Sequence, residues 1–169
     1  MSLKIVEDFC QKAYGRFLFS NIAIEASDFC NRDCKFCPVG VERKPVSRLD
    51  DQTILAIFEQ LAVLNYVGQI CFNWYNEPLA DKRLTTHIKM ARSACPKSFI
   101  YFATNGDLLT MKLLDEMVDA GLNWINVSQY DGVIKNDIMQ CRETVAGREH
   151  MSSGLTKKTK ARWRGHNGA

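Results

Sequence analysis

The 169-residue chain contains no run of 18 or more apolar residues, so the sequence offers no membrane-spanning helix. The N-terminus, MSLKIVEDFCQK, does not read as a secretory signal, because acids fall among its apolar positions and no small-residue cleavage site follows. Histidine is scarce: His87, His150 and His166 are the only three, and none has a partner at metal-site spacing. No repeat recurs at solenoid periods, and nothing before residue 151 is of low complexity. Acidic residues are missing from 151–169, where Lys157, Lys158, Lys160, Arg162 and Arg164 give a balance of +5. Residues 1–150 carry 17 basic and 19 acidic residues, a balance of −2, so the net charge of +3 belongs to the tail. Five charges with only Trp163 interleaved are a weak footprint for nucleic acid and read more simply as a solvated end. The absences exclude a membrane protein, a secreted disulfide scaffold and a wholly disordered chain.

Apolar residues make up 46% of the chain, enough for one domain with a real core. An eight-stranded β/α barrel usually takes about 250 residues, so this chain is too short for one. Seven cysteines, an odd number without a secretory signal, point to a reducing, cytoplasmic setting in which thiols bind metal or react.

Along the chain, helical and strand patterns alternate. Ile5, Phe9, Cys10 and Ala13 mark a short amphipathic helix over 4–14. Residues 18–26 alternate as a first strand, and 27–49 form a long polar loop. A helix is expected over 51–67, capped by Asp50 or Asp51, with Ile54, Ile57, Phe58, Leu61 and Leu64 on one face. A strand over 69–74, a helix over 81–94 and a strand over 98–103 follow. Thr110 caps a third helix that ends at Gly121, and 123–128 is a fourth strand. This rhythm is that of parallel βαβ units with helices on one face. Past residue 133 only one weak helix (133–142) and the basic segment remain. The expected division is an N-terminal extension over 1–17, a core over 18–150 and a basic, unstructured tail over 151–169.

The feature that carries chemistry is Cys30-Asn31-Arg32-Asp33-Cys34-Lys35-Phe36-Cys37, spacing C-x3-C-x2-C, directly after the first strand. Three thiolates on one loop can converge on a soft metal centre. A structural zinc wants four ligands in a closed site, and no further Cys or His lies nearby to complete the set. An iron–sulfur cluster with three thiolates and one open iron fits the spacing better. The other cysteines, Cys10, Cys71, Cys95 and Cys141, read as small buried hydrophobes. Polar clusters also end the later strands: Asn76-Glu77-Pro78, Thr104-Asn105-Gly106 and Ser128-Gln129. In β/α barrels functional groups come from the C-terminal ends of successive strands, which is where these four clusters fall.

With Phe36 before the last cysteine, this pattern resembles the cluster loop of the radical S-adenosylmethionine (SAM) superfamily. The runs EASDFCNRDCKFCP, FNWYNEPL, YFATNGDLLT and NVSQYDG are similar to its SPASM/Twitch-type members, the group that includes aminocyclitol dehydrogenases. The resemblance implies an α/β fold, a parallel-stranded partial (β/α) barrel with about four clear βα units. It implies a [4Fe-4S] cluster on Cys30, Cys34 and Cys37, and S-adenosyl-L-methionine as the second cofactor. Glu77-Pro78 resembles the element that holds the SAM amino group, with Asn76 where the family has glycine; asparagine tolerates the positive φ such a turn can need. Thr104-Asn105-Gly106 resembles the turn near the methionine and ribose. Ser128 and Gln129 stand where ribose hydroxyls or the carboxylate are contacted, and Phe36 where adenine lies.

The implied activity is that of an oxidoreductase: a 5′-deoxyadenosyl radical abstracts hydrogen from a carbohydrate, aminocyclitol or peptide substrate. An electron donor such as flavodoxin or ferredoxin is implied as partner. Arg162-Trp163-Arg164-Gly165-His166-Asn167 loosely resembles a later-barrel segment of these enzymes. No Cys follows Cys141 to bind an auxiliary cluster. The barrel-like part is roughly 50 residues short of six units at about 30 residues each, so a shortened, catalytically incomplete relative is one alternative. A zinc-binding interaction module is another.

Overall fold

The structure is a computed structural model that describes residues 19–38 and 45–129 together with the backbone of 160–165. The helices expected over 4–14 and 133–142 lie outside the described residues, as do Cys10, Cys141, His150 and His166. The described elements are β1 (Asn21–Ala23), α1 (Asp51–Val63), β2 (Gln69–Cys71), a 3-10 turn (Pro78–Ala80), α2 (Leu84–Ala94), β3 (Phe99–Thr104), α3 (Met111–Ala120), β4 (Trp124–Gln129) and β5 (Lys160–Gly165). All five strands are parallel and lie in the order β1-β2-β3-β4-β5.

Alternation along the strands divides the sheet. Ile70 and Phe72, Ile100 and Phe102, and Ile125 and Val127 are buried in the core with Ile54, Phe58 and Leu61 of α1, Leu84, Ile88 and Ala91 of α2, and Leu114 and Met117 of α3. The intervening residues, among them Tyr101, Ala103, Asn126 and Ser128, therefore lie on the opposite face. Helix α1 packs on α2, and α2 on α3, forming one helical layer over the sheet.

The caps explain the element boundaries. The Asp50 carboxylate accepts the Thr53 N–H (2.6 Å) and starts α1. Helix α1 stops at Val63, four residues before the expected end. Asn65 adopts φ 50°, and the Tyr66 N–H returns to the Leu61 carbonyl (3.0 Å), a left-handed termination in which asparagine takes the usual place of glycine. Helix α2 begins at Leu84, because the Asp81 carboxylate accepts the Arg83 N–H (3.0 Å) and holds that stretch in a turn. Thr110 caps α3 as expected, and Gly121, at φ 109°, ends it.

Strand β2 is only three residues long, against six expected. Beyond it the Asn73 side chain, rather than a backbone carbonyl, accepts the Ala103 N–H (2.7 Å), so contact with β3 continues without regular strand pairing. Within the basic segment, Lys160–Gly165 pairs along the whole of β4, a strand the sequence reading does not anticipate. Its residues alternate basic with small or apolar, the period of a strand, and the open edge of β4 supplies unpaired backbone groups for it.

Candidate functional site

The loops that leave the C-terminal ends of β1, β2 and β3, together with the end of β4, meet in a cleft of about 140 Å³. Cys30, Cys34, Phe36 and Cys37 come to it from the first loop, Asn76 and Glu77 from the second, Thr104 and Asn105 from the third, and Ser128 from β4. Nine of the eleven residues named from the sequence thus share one site. Pro78 is buried as the first residue of the 3-10 turn, just behind the cleft. Gln129 ends β4, and its side chain lies outside the described residues.

The three thiols are half-buried and free. The Cys37 N–H donates to the Cys34 carbonyl (2.9 Å), which closes a tight backbone turn between those two cysteines. Burial pushes the Cys30 thiol up, opposed by the Arg32 N–H on its sulfur and reinforced by Glu77, Cys34 and Cys37. Among the described residues, no three His, Cys, Asp or Glu side chains converge closely enough for a single metal ion. Ligands that each bind a different iron need no such convergence, so the donor set fits a cluster better than a zinc ion.

Glu77 is only 3% exposed. Its Oε1 accepts the Leu79 N–H (3.0 Å) and the Thr104 hydroxyl (2.6 Å), and its Oε2 accepts the Asn105 N–H (2.8 Å). Burial pushes its carboxyl up, against the pull of these three donors. A carboxylate offers about four lone-pair positions, so one acceptor direction is left for a ligand. The Glu77 N–H itself donates to the Phe29 carbonyl (2.9 Å), which ties the second loop to the residue before Cys30.

Several side chains here escaped the sequence reading. Glu25, just past β1, accepts the N–H groups of Tyr75 and Asn76 through one oxygen (both 2.7 Å). Asn76 is not in a left-handed conformation; its side chain accepts the Trp74 N–H (3.2 Å), so the position tolerates a side chain without positive φ. Gly106 does carry positive φ (78°), as the turn after Thr104-Asn105 requires. Asp107 receives Arg32 through two bonds, Nε to Oδ2 (2.6 Å) and Nη2 to Oδ1 (2.7 Å). Trp74, Tyr75 and Phe36 stand exposed at the rim.

The radical SAM superfamily profile matches residues 24–132, most of the chain and all of the loops that build the cleft. The chain belongs to the radical SAM superfamily. Over 116 residues it is 36% identical to the S-adenosyl-L-methionine-dependent 2-deoxy-scyllo-inosamine dehydrogenase of Niallia circulans, a match covering 68% of this chain and 46% of that protein. Among solved structures, BtrN in complex with AdoMet and 2-DOIA superposes with a TM-score of 0.69 at 30% identity, covering 86% of this chain and 57% of BtrN. BtrN in an open conformation gives 0.66 at 29% identity, over 89% and 57%. Methylornithine synthase (PylB), at 16% identity and a TM-score of 0.52, shares the fold. The chain thus spans about half the length of the relatives it matches. Among the described residues no helix is long and apolar enough to cross a membrane.

Proposed function

We propose that this radical SAM chain holds a [4Fe-4S] cluster on Cys30, Cys34 and Cys37 and binds S-adenosyl-L-methionine beside it, to abstract hydrogen from a hydroxyl-bearing carbon of an aminocyclitol or carbohydrate. One observation carries the reading: the cysteine loop and the three later strand ends open into the same cleft. The substrate class rests on the dehydrogenase relative; a peptide is the competing class. Bound together, the two cofactors supply an electron and a 5′-deoxyadenosyl radical strong enough to take hydrogen from an unactivated C–H bond.

The protein's part is binding, orientation and exclusion of water. The free acceptor direction of Glu77 is suited to the cofactor's ammonium group, with Pro78 fixing the turn behind it. Asn76 contributes its carbonyl and side chain at the mouth. Thr104 and Asn105 present the third loop to the methionine and ribose, and Ser128, followed by Gln129 at the end of β4, stands for the contact with ribose hydroxyls or the carboxylate. Phe36, 70% exposed, offers its ring to the adenine. The exposed cysteine loop is also the natural approach for a flavodoxin or ferredoxin, and a reducing cytoplasm suits the free thiols.

Anaerobic reconstitution with iron and sulfide, then dithionite and S-adenosyl-L-methionine, is expected to give a brown protein that releases 5′-deoxyadenosine. Cys30→Ala should abolish both colour and product. An intact cluster without 5′-deoxyadenosine would refute the catalytic reading, and a colourless protein containing zinc would refute the cluster. Incubation with aminocyclitols and with peptides separates the two substrate classes.

A further inference from the structure

We propose that Asp107 is a positioning residue for the cysteine loop, acting through Arg32 and Asn31 to fix the environment of Cys30. The inference rests on the cluster reading above and adds a residue that the cysteine motif does not contain.

Asn31 and Arg32 lie between the first two cysteines, and both are held from the third loop, some 75 positions away. Arg32 and Asp107 meet through two parallel N–H···O bonds, with side chains only 18% and 17% exposed. Such a planar fork fixes orientation as well as distance. Asn31 Nδ2 donates to the same carboxylate (3.2 Å), while Asn31 Oδ1 accepts from Asn105 Nδ2 (2.8 Å). Asn105 in turn orients Asp107 by accepting its backbone N–H (2.9 Å). The result is a closed ring of hydrogen bonds among Asn31, Asn105 and Asp107, with Arg32 clamped on its outer side.

Cys30 is bracketed. On its N-terminal side the Phe29 carbonyl is held by the Glu77 N–H, and on its C-terminal side Arg32 is held by Asp107. The Arg32 backbone N–H meets the Cys30 sulfur, so the clamp restrains the residue that donates it. Hydrogen bonds to ligating sulfurs favour the reduced, more negative state of an iron–sulfur centre and so raise its potential. Releasing Arg32 therefore removes both restraint and tuning, while all three thiols remain.

The test compares reconstituted wild type with Asp107→Ala, Arg32→Met and the charge-reversed pair Arg32→Asp/Asp107→Arg. The readouts are iron retention against a chelator, the cluster midpoint potential followed by EPR, and apoprotein Tm. Both single variants should hold iron about 10–100-fold more weakly, as expected when outer partners of metal ligands are lost. Their midpoint should shift to more negative values, and the reversed pair should recover iron retention. Arg32→Met keeps the experiment decisive should Asp107→Ala fail to fold. Single variants that match wild type in retention and midpoint, whatever their Tm, would overturn the inference and leave the cluster reading standing. A wild type that takes up no iron would overturn both.

Discussion

Glu77→Ala is the sharpest probe of how the cleft is built, because one buried carboxylate serves three donors from two loops. Removing it leaves the N–H of Asn105, the hydroxyl of Thr104 and the N–H of Leu79 without their acceptor. Thr104 and Asn105 are themselves buried, at 3% and 7% exposure, so water cannot replace the carboxylate without opening the site. An unsatisfied buried donor costs about 1–3 kcal/mol, so the gross loss for three is on the order of 3–9 kcal/mol. Against this stands the relief of a carboxylate that burial already disfavours, the direction of its raised pKa. The two effects oppose, and because three donors are orphaned, two of them in bonds of 2.6 and 2.8 Å, the lost bonds outweigh the relief, leaving a net destabilisation of about 2–4 kcal/mol. At about 2–4 °C per kcal/mol for a chain of this size, the apoprotein Tm should fall by roughly 4–16 °C. Glu77→Gln keeps one acceptor oxygen but turns an amide NH2 toward a donor, so it should lie between wild type and Glu77→Ala. The assay is thermal unfolding of the cluster-free protein by circular dichroism, which separates the scaffold role of Glu77 from any contact with cofactor. A Glu77→Ala protein melting within a degree of wild type would show that the three donors find other partners, and the account of the loops as mutually supported would fail.

Three further perturbations test other levels of the structure. Phe58, 1% exposed and packed edge-on to Phe72 (62° between rings), should cost about 3–5 kcal/mol as Phe58→Ala, read from urea unfolding; a loss below one kcal/mol would contradict its place in the core. Thr110→Ala removes the acceptor for the Leu113 N–H (3.2 Å) and should cost about 1 kcal/mol, with Thr110→Ser restoring most of it. Burial pushes the Tyr66 hydroxyl from 10.0 up to about 12. Between those values the unfolded chain releases this proton while the folded chain keeps it, so stability falls as pH rises through that window. Tyr66→Phe should therefore show a shallower loss of stability from pH 10 to 12 than wild type, and identical slopes would refute the assignment.

Local signals in the sequence predict the local features well. Asp50, Thr110 and Gly121 mark helix ends by chemistry confined to a few residues, and the structure uses each as expected. Asn65 is the counterexample at the same scale: asparagine adopts the left-handed region less often than glycine, so the end of α1 reads four residues too late. The strand-end clusters are legible because the C-terminal ends of parallel strands all open to one side, so sequence rhythm alone brings Cys30, Glu77, Thr104 and Ser128 together. What joins those clusters is not legible. Arg32 and Asp107, or Glu25 and Asn76, are ordinary charged and polar residues in sequence, and their meaning arises only from pairing across 50 to 75 positions. Strand β5 fails for another reason: its alternation is visible, but strong basic composition reads first as a solvated tail.

Three carboxylates, Glu77 lining the cleft and Glu25 and Asp107 on the loops that build it, form a sequence of their own. Glu25, beyond β1, accepts backbone N–H groups of the loop after β2; Glu77, in that loop, accepts the Asn105 N–H of the loop after β3; Asp107, in that third loop, accepts Arg32 of the loop after β1. Each loop is fastened by the acidic side chain of the one before it, and the chain of fastenings closes on the cysteines. This arrangement gives the site rigidity without an apolar core, which a cleft open to cofactor cannot have. It also sets the charge of the cleft. Glu25 and Glu77 are answered, among the described contacts, by N–H and O–H dipoles and not by a cation. On the proposed function, a ligand that carries positive charge, such as a sulfonium with an ammonium group, would be favoured over a neutral analogue beside these carboxylates. If scaffold and recognition share these carboxylates as proposed, substitutions at Glu25 or Glu77 should weaken fold and cofactor affinity together, whereas Phe58→Ala should weaken the fold alone.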